Sequence, residues 1–350
     1  MPASRTKRTS RTKTEKKARK SNKKGCPSGQ PFAAERRKMK SIKIKSFAKI
    51  NLSLDILGRL ENGYHRVDMI MHQTELHDDV TVKLVPSECT GDTDSITVFS
   101  DDPFLPDGKE NTAYRAAALM KEKYGSGHDE RIKIEIAKRV PVAAGLAGGS
   151  GNGAAVLHAL NTLWGLGLSL RELCAAGAVI GSDVPFSAAG QARENSILGT
   201  EITEDPLASS CVRATGTGTD IEPLPPLESF IVLSRPPVEI STKDSYGNFV
   251  ADKAAARPGT ERIVQGLRNG DFEKVRENMA NVLEKYALTM YDEAMYTKNK
   301  MEEVCDGGAV MMSGSGPTIY ALLKDEKEAS YVYNKMKGLN RETFLTKTTM

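Results

Sequence analysis

Cysteine is scarce in this chain: it falls at positions 26, 89, 174, 211 and 305, an odd number with no CxxC and no matching Cys/His pairs. That excludes a disulfide framework and a zinc site of ordinary spacing, and suits a reducing cytosol. No apolar run reaches the roughly 18 residues of a membrane span, because the most hydrophobic region, around 140–180, is broken by glycines, Asn152, Asn161 and Arg171. The expected location is cytoplasmic, with no membrane partner. There is no internal repeat. A Walker loop, which closes on a Lys-Ser/Thr pair, is also missing, as is a strand-tight GxGxxG followed by a ribose-binding acid.

The net charge of +4 hides two opposite characters: residues 1–40 hold 15 Lys/Arg against 2 Glu, a net +13, and the other 310 carry a net −9. Residues 1–38 hold almost no apolar side chains and cannot offset the entropy of ordering, which predicts a disordered basic extension, with Met39 as an alternative working start. Such a block is usually just solvated. A nucleic-acid arm or an organelle-targeting extension is the functional alternative, against which stand the lack of interleaved aromatics and the preference for Lys over Arg and Ser. No nucleic acid is expected to bind the acidic body. A length of 350 residues predicts two domains besides the tail.

From residue 41 the run IKIKSFAKINLSLDIL alternates with the period of a half-buried strand, and DVTVKLV at 79–85 follows after a turn at NGYHR, 62–66. A helix is predicted at 111–124, a strand at 132–138, and a helix after Ser169 and Glu172, which form a capping box. The second half reads as a strand at 229–234, helices at 271–287 (capped by Asp271) and 292–304, strands at 309–313 and 318–323 around a GSG turn, a helix at 325–338 and a strand near 343–348. The class is α+β, with helices on one face of an antiparallel sheet in the second domain.

Chemistry concentrates in PVAAGLAGGSGNGAA, 141–155, where glycines at 145, 148, 149, 151 and 153 precede a helical run. Bare main-chain N–H groups can approach an anion there, and the positive end of the following helix points at the same place. A flexible turn is the plain alternative. Two scattered residues add to it. Lys49 lies among small and apolar neighbours in a strand pattern, and Asp183 sits in GSDVPF just past a helix. Singly, the first reads as a solvated strand lysine and the second as a turn or cap aspartate. Together with a phosphate cradle they are what phosphoryl transfer to an alcohol needs, a cation near the transferring group and a carboxylate to take the hydroxyl proton.

Four ordered segments, SFAKINLSLDILGRLENGYHRVD, KRVPVAAGLAGGSGNGAAVLHALNTLWGLGLS, GSDVPF and MMSGSGPTIYALL, resemble the successive motifs of the GHMP small-molecule kinases over about residues 40–345. The resemblance implies a two-domain α+β fold, a ribosomal S5 domain 2-like N-terminal half and a ferredoxin-like C-terminal half. Its boundaries are 39–193 and 214–350, with 194–213 as an inserted surface loop following a short AAGQAR strand. It implies ATP with Mg²⁺ and an acceptor that is a cytidine diphosphate sugar alcohol, 4-diphosphocytidyl-2-C-methyl-D-erythritol, phosphorylated at its C2 hydroxyl in the non-mevalonate isoprenoid route. Homoserine- or mevalonate-type acceptors are the rivals within the family, and nucleic-acid binding by the basic arm is the rival outside it.

The roles implied by the resemblance are specific. Asp183 is the general base, contacting substrate, and Lys49 sits beside it; Asn51 touches the erythritol part, Tyr64 stacks on the cytosine and His65 hydrogen-bonds it. Thr242 lines the substrate groove. Pro141, Gly145, Leu146, Ala147, Gly148, Gly149, Ser150 and Gly151 form the ATP loop, Ser150 offers a hydroxyl to the metal, and Asn111 and Lys138 lie near the nucleotide. Asn111 could equally be a plain helix cap and Lys138 simply exposed. The SGSGP turn at 313–317 closes on the ATP site or is a tight hairpin, or both. Where relatives read GGGSSNAA this chain reads AGGSGNGA, which predicts a looser helix start.

Overall fold

The alternation begun at residue 41 runs on for twenty residues: in the computed structural model, which describes residues 40–61, 63–86, 95–250 and 256–350, strand β1 spans Lys40–Arg59. The predicted basic extension, Cys26 and Cys89 lie outside the described residues. Only the first part of β1 is half-buried. From Phe47 to Ile56 both faces are covered, so the polar residues of AKINLS are interior ones. The alternation of the sequence reports one face of this strand; the second layer that buries the other face comes from distant sequence.

Strand β2, His65–Val85, returns antiparallel beside β1 after a turn closed by the Leu60 N–H to Tyr64 O bond, with Gly63 at φ 85°. Among the described residues, β3 (Ile96–Ser100), β4 (Arg131–Ala137), β5 (Cys211–Gly216), β6 (Asp220–Pro223) and the two-residue β8 (Ala280–Asn281) complete a seven-stranded sheet ordered β3-β4-β2-β1-β8, with β5 on β2 and β6 on β5. Helices α1 (Thr112–Tyr124), α2 (Gly148–Trp164), α3 (Leu170–Ile180) and α4 (Val184–Glu194) supply Ala116, Met120, Leu157, Leu160, Leu173 and Ala188 to the core formed with Ile44, Val82 and Ile134. The capping box forms as predicted, Ser169 Oγ accepting from Glu172 N and Glu172 Oε2 from Ser169 N, a motif that stabilises a helix start by about 1 kcal/mol.

The second sheet is antiparallel, ordered β11-β7-β10-β9, from β7 (Phe230–Arg235), β9 (Ala309–Met312), β10 (Ile319–Leu323) and β11 (Glu342–Lys347). Helices α10 (Asp292–Val304) and α11 (Glu326–Met336) pack on one face through Met301, Val332 and Met336. Through Ile231, Leu233, Tyr320 and Leu322 the other face meets Ile50 and Leu52 of β1 and the apolar side of α7 (Thr260–Asn269) and α8 (Phe272–Glu277).

Three expectations are corrected. AAGQAR is not a strand but part of α4, whose alanines favour a helix and whose Pro185 sits in the first turn where no N–H is needed. Residues 194–213 are not simply a surface loop: they hold a 3₁₀ turn, Ser196–Leu198, the short helix α5, Thr200–Thr203, and the start of β5, with Leu198, Ile202 and Cys211 buried. The helix predicted at 271–287 is broken into α8, capped by Asp271 as expected, β8, and α9 (Glu284–Met290), because Ala280 and Asn281 pair in parallel with Ser53 and Leu54 of β1.

Two core histidines give the fold a pH signature. His72 Nε2 faces the Leu227 N–H at 2.9 Å and must accept, so Nδ1 carries the proton and donates to Gln73 O; His158 Nε2 donates to Ala188 O. Burial pushes both down to about 4. Unfolded histidine takes a proton below about 6.5 while the folded one stays neutral, so each contributes stability that is complete above pH 6.5 and lost as pH falls toward 4, roughly 2 kcal/mol or more apiece. Denaturant unfolding followed from pH 7 to 4 should show this slope, and His158→Gln should flatten it; an unchanged slope in that variant would rule the histidine out.

Candidate active site

Register shifts on either side of Lys49–Asn51 bend β1 where it meets the second sheet, a common device for re-aiming side chains. Lys49 is 3% exposed, and its Nζ donates to Asn51 Oδ1 at 2.5 Å. The same oxygen accepts the Gly314 N–H at 3.0 Å. Gly314, φ 59°, lies so close that a Cβ there would stand 2.9 Å from the ammonium. Burial lowers the Lys49 pKa below that of an ordinary lysine, and the Asp183 carboxylate opposes the shift. The two charges, 134 positions apart in sequence, therefore act on one another in space. Asn51 is itself buried, with Nδ2 toward Met69 Sδ, and its Oδ1 holds both Lys49 and the turn.

Asp183 occupies the N-cap position of α4, yet its side chain caps no amide. The carboxylate is left for the site. Besides Lys49 it acts on Tyr246, whose phenol is pushed up by burial first and by Asp183 second. Tyr246 lies in the last turn of a short helix, α6 (Thr242–Gly247), and its ring meets that of His65 at 5.5 Å, tilted by 43°. His65 is lowered by burial and by Arg59, which favours the neutral imidazole. Tyr64 beside it is exposed on the rim, and Thr242 Oγ1 lies 2.9 Å from Ser315 Oγ, tying α6 to the 313–317 turn. Tyr246 was missed in the sequence although it lies within the same EISTKDSYGNF segment as Thr242; a tyrosine in a loop carries no signal of its own.

The glycine loop begins on Pro141 and Leu146, both buried, and enters α2 through Ala147 in the left-handed region, φ 56°. The first intrahelical bond of α2 runs from Gly151 N to Ala147 O, so the amides of Gly148, Gly149 and Ser150 precede it, with no side-chain cap. That arrangement suits an anion. Gly145 leaves no room for a Cβ between the carbonyls of Ser313 and Gly316, and Ser313 Oγ donates to Gly145 O at 3.0 Å. Gly151 and Gly153 also serve packing: Cβ atoms there would come within 2.5 Å of Ser46 Oγ and 2.8 Å of Thr112 Cγ2, so these glycines let β1 and α1 approach closely.

Lys138 and Asn111 sit under and beside the loop. Lys138 is not an exposed lysine: its Nζ is paired with the fully buried Asp78 at 2.6 Å, whose other oxygen accepts from Arg139 N and Val140 N. Asp78 thereby fixes the root of the loop, another residue the sequence reading missed. Asn111 caps α1, Oδ1 accepting from Ala113 N and Nδ2 donating to Pro106 O, so both ends of its amide are committed. The nearby contact with the loop comes from Thr112, which lies against Gly149 and Gly153.

Residues 111–191 match the GHMP kinases N terminal domain and residues 263–341 the GHMP kinases C terminal. The 4-diphosphocytidyl-2-C-methyl-D-erythritol kinase of Geobacillus kaustophilus is 38% identical over 304 residues, 87% of this chain and 95% of that protein. The chain belongs to the GHMP kinase family. The protein of the same name from Brevibacillus brevis is 37% identical over 308 residues. Among solved structures, this GHMP kinase superposes on a 4-(cytidine 5'-diphospho)-2C-methyl-D-erythritol kinase with a TM-score of 0.67 at 25% identity, covering 88% of this chain and 100% of that one. A homoserine kinase from Cytophaga hutchinsonii shares the fold, TM-score 0.63 at 20% identity, over 92% and 98% of the two chains.

The loop of this GHMP kinase carries a strain that can be measured. A left-handed alanine costs about 1 kcal/mol, partly cancelled by the extra freedom glycine gives the unfolded chain, so Ala147→Gly should be neutral or stabilising by up to about 1 kcal/mol. Ala154→Gly, inside the same helix, should lose about 1 kcal/mol. Gly145→Ala should lose several times as much through collision. Chemical denaturation of the three variants checks the order, and a destabilised Ala147→Gly would contradict it.

Proposed function

We infer that the chain transfers the γ-phosphoryl group of ATP to the C2 hydroxyl of 4-diphosphocytidyl-2-C-methyl-D-erythritol, giving the 2-phosphate and ADP in non-mevalonate isoprenoid biosynthesis. The observation that carries the mechanism is the mutual influence of Lys49 and Asp183 beside a helix start with free amides. The identity to full-length relatives of that name supports the choice of acceptor.

In this reading the amides of Gly148, Gly149 and Ser150 hold phosphate oxygens, and Asp183 accepts the proton of the C2 hydroxyl as that oxygen attacks phosphorus and the bond to the β-phosphate oxygen breaks. Lys49, which feels the Asp183 carboxylate, stabilises charge gathering on the transferred group. Tyr64 and His65 receive the cytosine, with Tyr246 as a second ring; Thr242 lines the groove, and Asn51 acts on the acceptor by way of Lys49. Lys138 and Asn111 serve the nucleotide by shaping the loop and its neighbour α1.

Mg²⁺ belongs to the same reading. Among the described residues no group of three His, Cys, Asp or Glu could cage a metal. The donor set therefore fits an ion held mainly by phosphate oxygens, with the half-buried Ser150 hydroxyl as a protein ligand. Bound there, it would neutralise phosphate charge. No helix among the described residues is long and apolar enough to cross a membrane, and the free thiols of Cys174, Cys211 and Cys305 suit the cytoplasm.

Asp183→Asn should lower turnover by about 10²–10⁴-fold while ATP affinity, read by calorimetry, stays within about threefold. Near-normal ADP release from that variant would reject the general base. Tyr64→Ala should raise the KM for the cytidyl alcohol by roughly 5- to 100-fold, the range of one lost stacking contact, and leave the KM for ATP unchanged. Faster phosphorylation of homoserine or mevalonate than of the cytidyl alcohol would overturn the acceptor.

A further inference from the structure

Residues 281–284 read Asn-Val-Leu-Glu and fall where periodicity predicts unbroken helix, yet Asn281 lies in β8 and Glu284 only begins α9, and the two make three side-chain bonds to Met312 and Gly314. Asn281, 5% exposed, donates through Nδ2 to Met312 O at 2.9 Å and Gly314 O at 2.7 Å, while its Oδ1 accepts from Leu283 N. Glu284 Oε1 accepts the Met312 N–H at 2.9 Å, its charge met by Lys298 Nζ at 2.8 Å, which also donates to Val310 O. Both backbone groups of Met312 and the carbonyl of Gly314 are thus held from 281 and 284.

The held turn is the one that touches the lysine. Gly314 N–H donates to Asn51 Oδ1, the oxygen that also receives Lys49 Nζ, and a Cβ at Gly314 would stand 2.9 Å from that ammonium. The segment is also strapped to the lysine's own strand, since Val282 N donates to Leu54 O at 3.1 Å. The bonds close a ring: Lys49 to Asn51, along β1 to Leu54, across to Val282 and Asn281, and back through Gly314 to Asn51. Slack at Asn281 therefore moves the acceptor of Lys49.

We propose that Asn281 and Glu284 are positioning residues for Lys49, acting through the glycine turn at 313–317. The proposal rests on the reading of Lys49 as part of the reaction centre. A displacement of about 1 Å at such a centre costs on the order of 100-fold in rate. Asn281→Asp keeps the shape and removes the N–H donor; its kcat should fall about 100-fold while the KM values for ATP and acceptor stay within about threefold. Should that variant fail to fold, Asn281→Ser, smaller and uncharged, carries the same expectation. Glu284→Gln keeps the acceptor for Met312 N and should lose less than about tenfold.

The pH profile of kcat separates positioning from mere support. Burial lowers the Lys49 pKa, so a loosened turn that admits water should raise it, and the basic limb in Asn281→Ser should move to higher pH. Lys49→Met is measured alongside. If Lys49→Met is inactive and Asn281→Asp and Asn281→Ser keep kcat within twofold, the positioning role is wrong. A loss of kcat that only tracks the folded fraction, with the limb unmoved, overturns it equally. Full activity in Lys49→Met would instead remove the reading of the site on which the proposal stands.

Discussion

The site depends on one unfavourable act, the burial of the Lys49 ammonium. Taking such a charge out of water costs several kcal/mol, and its hydrogen bond to the neutral Asn51 oxygen returns only about 1.5–3 kcal/mol. The remainder is offset by the field of Asp183 and by the packing that holds β1 between two layers. A cation left partly uncompensated in a dry place is a standing attraction for negative charge. That is electrostatic preorganisation: the cost is met when the protein folds, and a group gathering negative charge beside the lysine needs no reorganisation to be stabilised.

Holding that ammonium takes both halves of the chain. Gly145 from the loop before α2 and Ser313 and Gly316 from the turn before β10 approach so closely that a side chain at 145 has no place, and Ser313 Oγ bonds to Gly145 O. Tyr320 of the second sheet donates its hydroxyl to Asn51 O at 2.6 Å. The glycines of the two motifs therefore serve the junction as much as any ligand. Folding of the second sheet and placement of Lys49 are one event, since the strand that carries the lysine is buried on both sides only when that sheet is present.

Much of this was legible. The strand alternation at 41–56, the capping box at Ser169, the cap at Asp271 and the strand pair around the 313–317 turn follow from local rules, and local rules govern them in the fold. The misses share a cause. The break at 278–281 is set by pairing with β1, and the burial of Leu198 and Ile202 by a core assembled from distant segments. Tyr246, Asp78 and Asn281 act by position in space, through a ring contact, a buried ion pair and a bridge to backbone. Residue type alone marks none of them. Lys49 and Asp183 stood out by residue type and neighbours, and the family pattern then gave each its role, since the sequence carries no distance between them.

The same division separates frame from specificity. A homoserine kinase shares the fold at 20% identity with a TM-score of 0.63, and a shared fold does not by itself fix the acceptor. What would recognise a pyrimidine lies at the rim, where β1 turns into β2 and where α6 ends: His65 against Tyr246, with Tyr64 alongside. Burial and the Asp183 carboxylate both disfavour ionisation of Tyr246, and burial and Arg59 keep His65 neutral. Two uncharged rings with donor and acceptor edges suit a nucleobase far better than a carboxylate or an ammonium. In the proposed reaction the charged centre sets what is transferred, and the neutral rim sets to what.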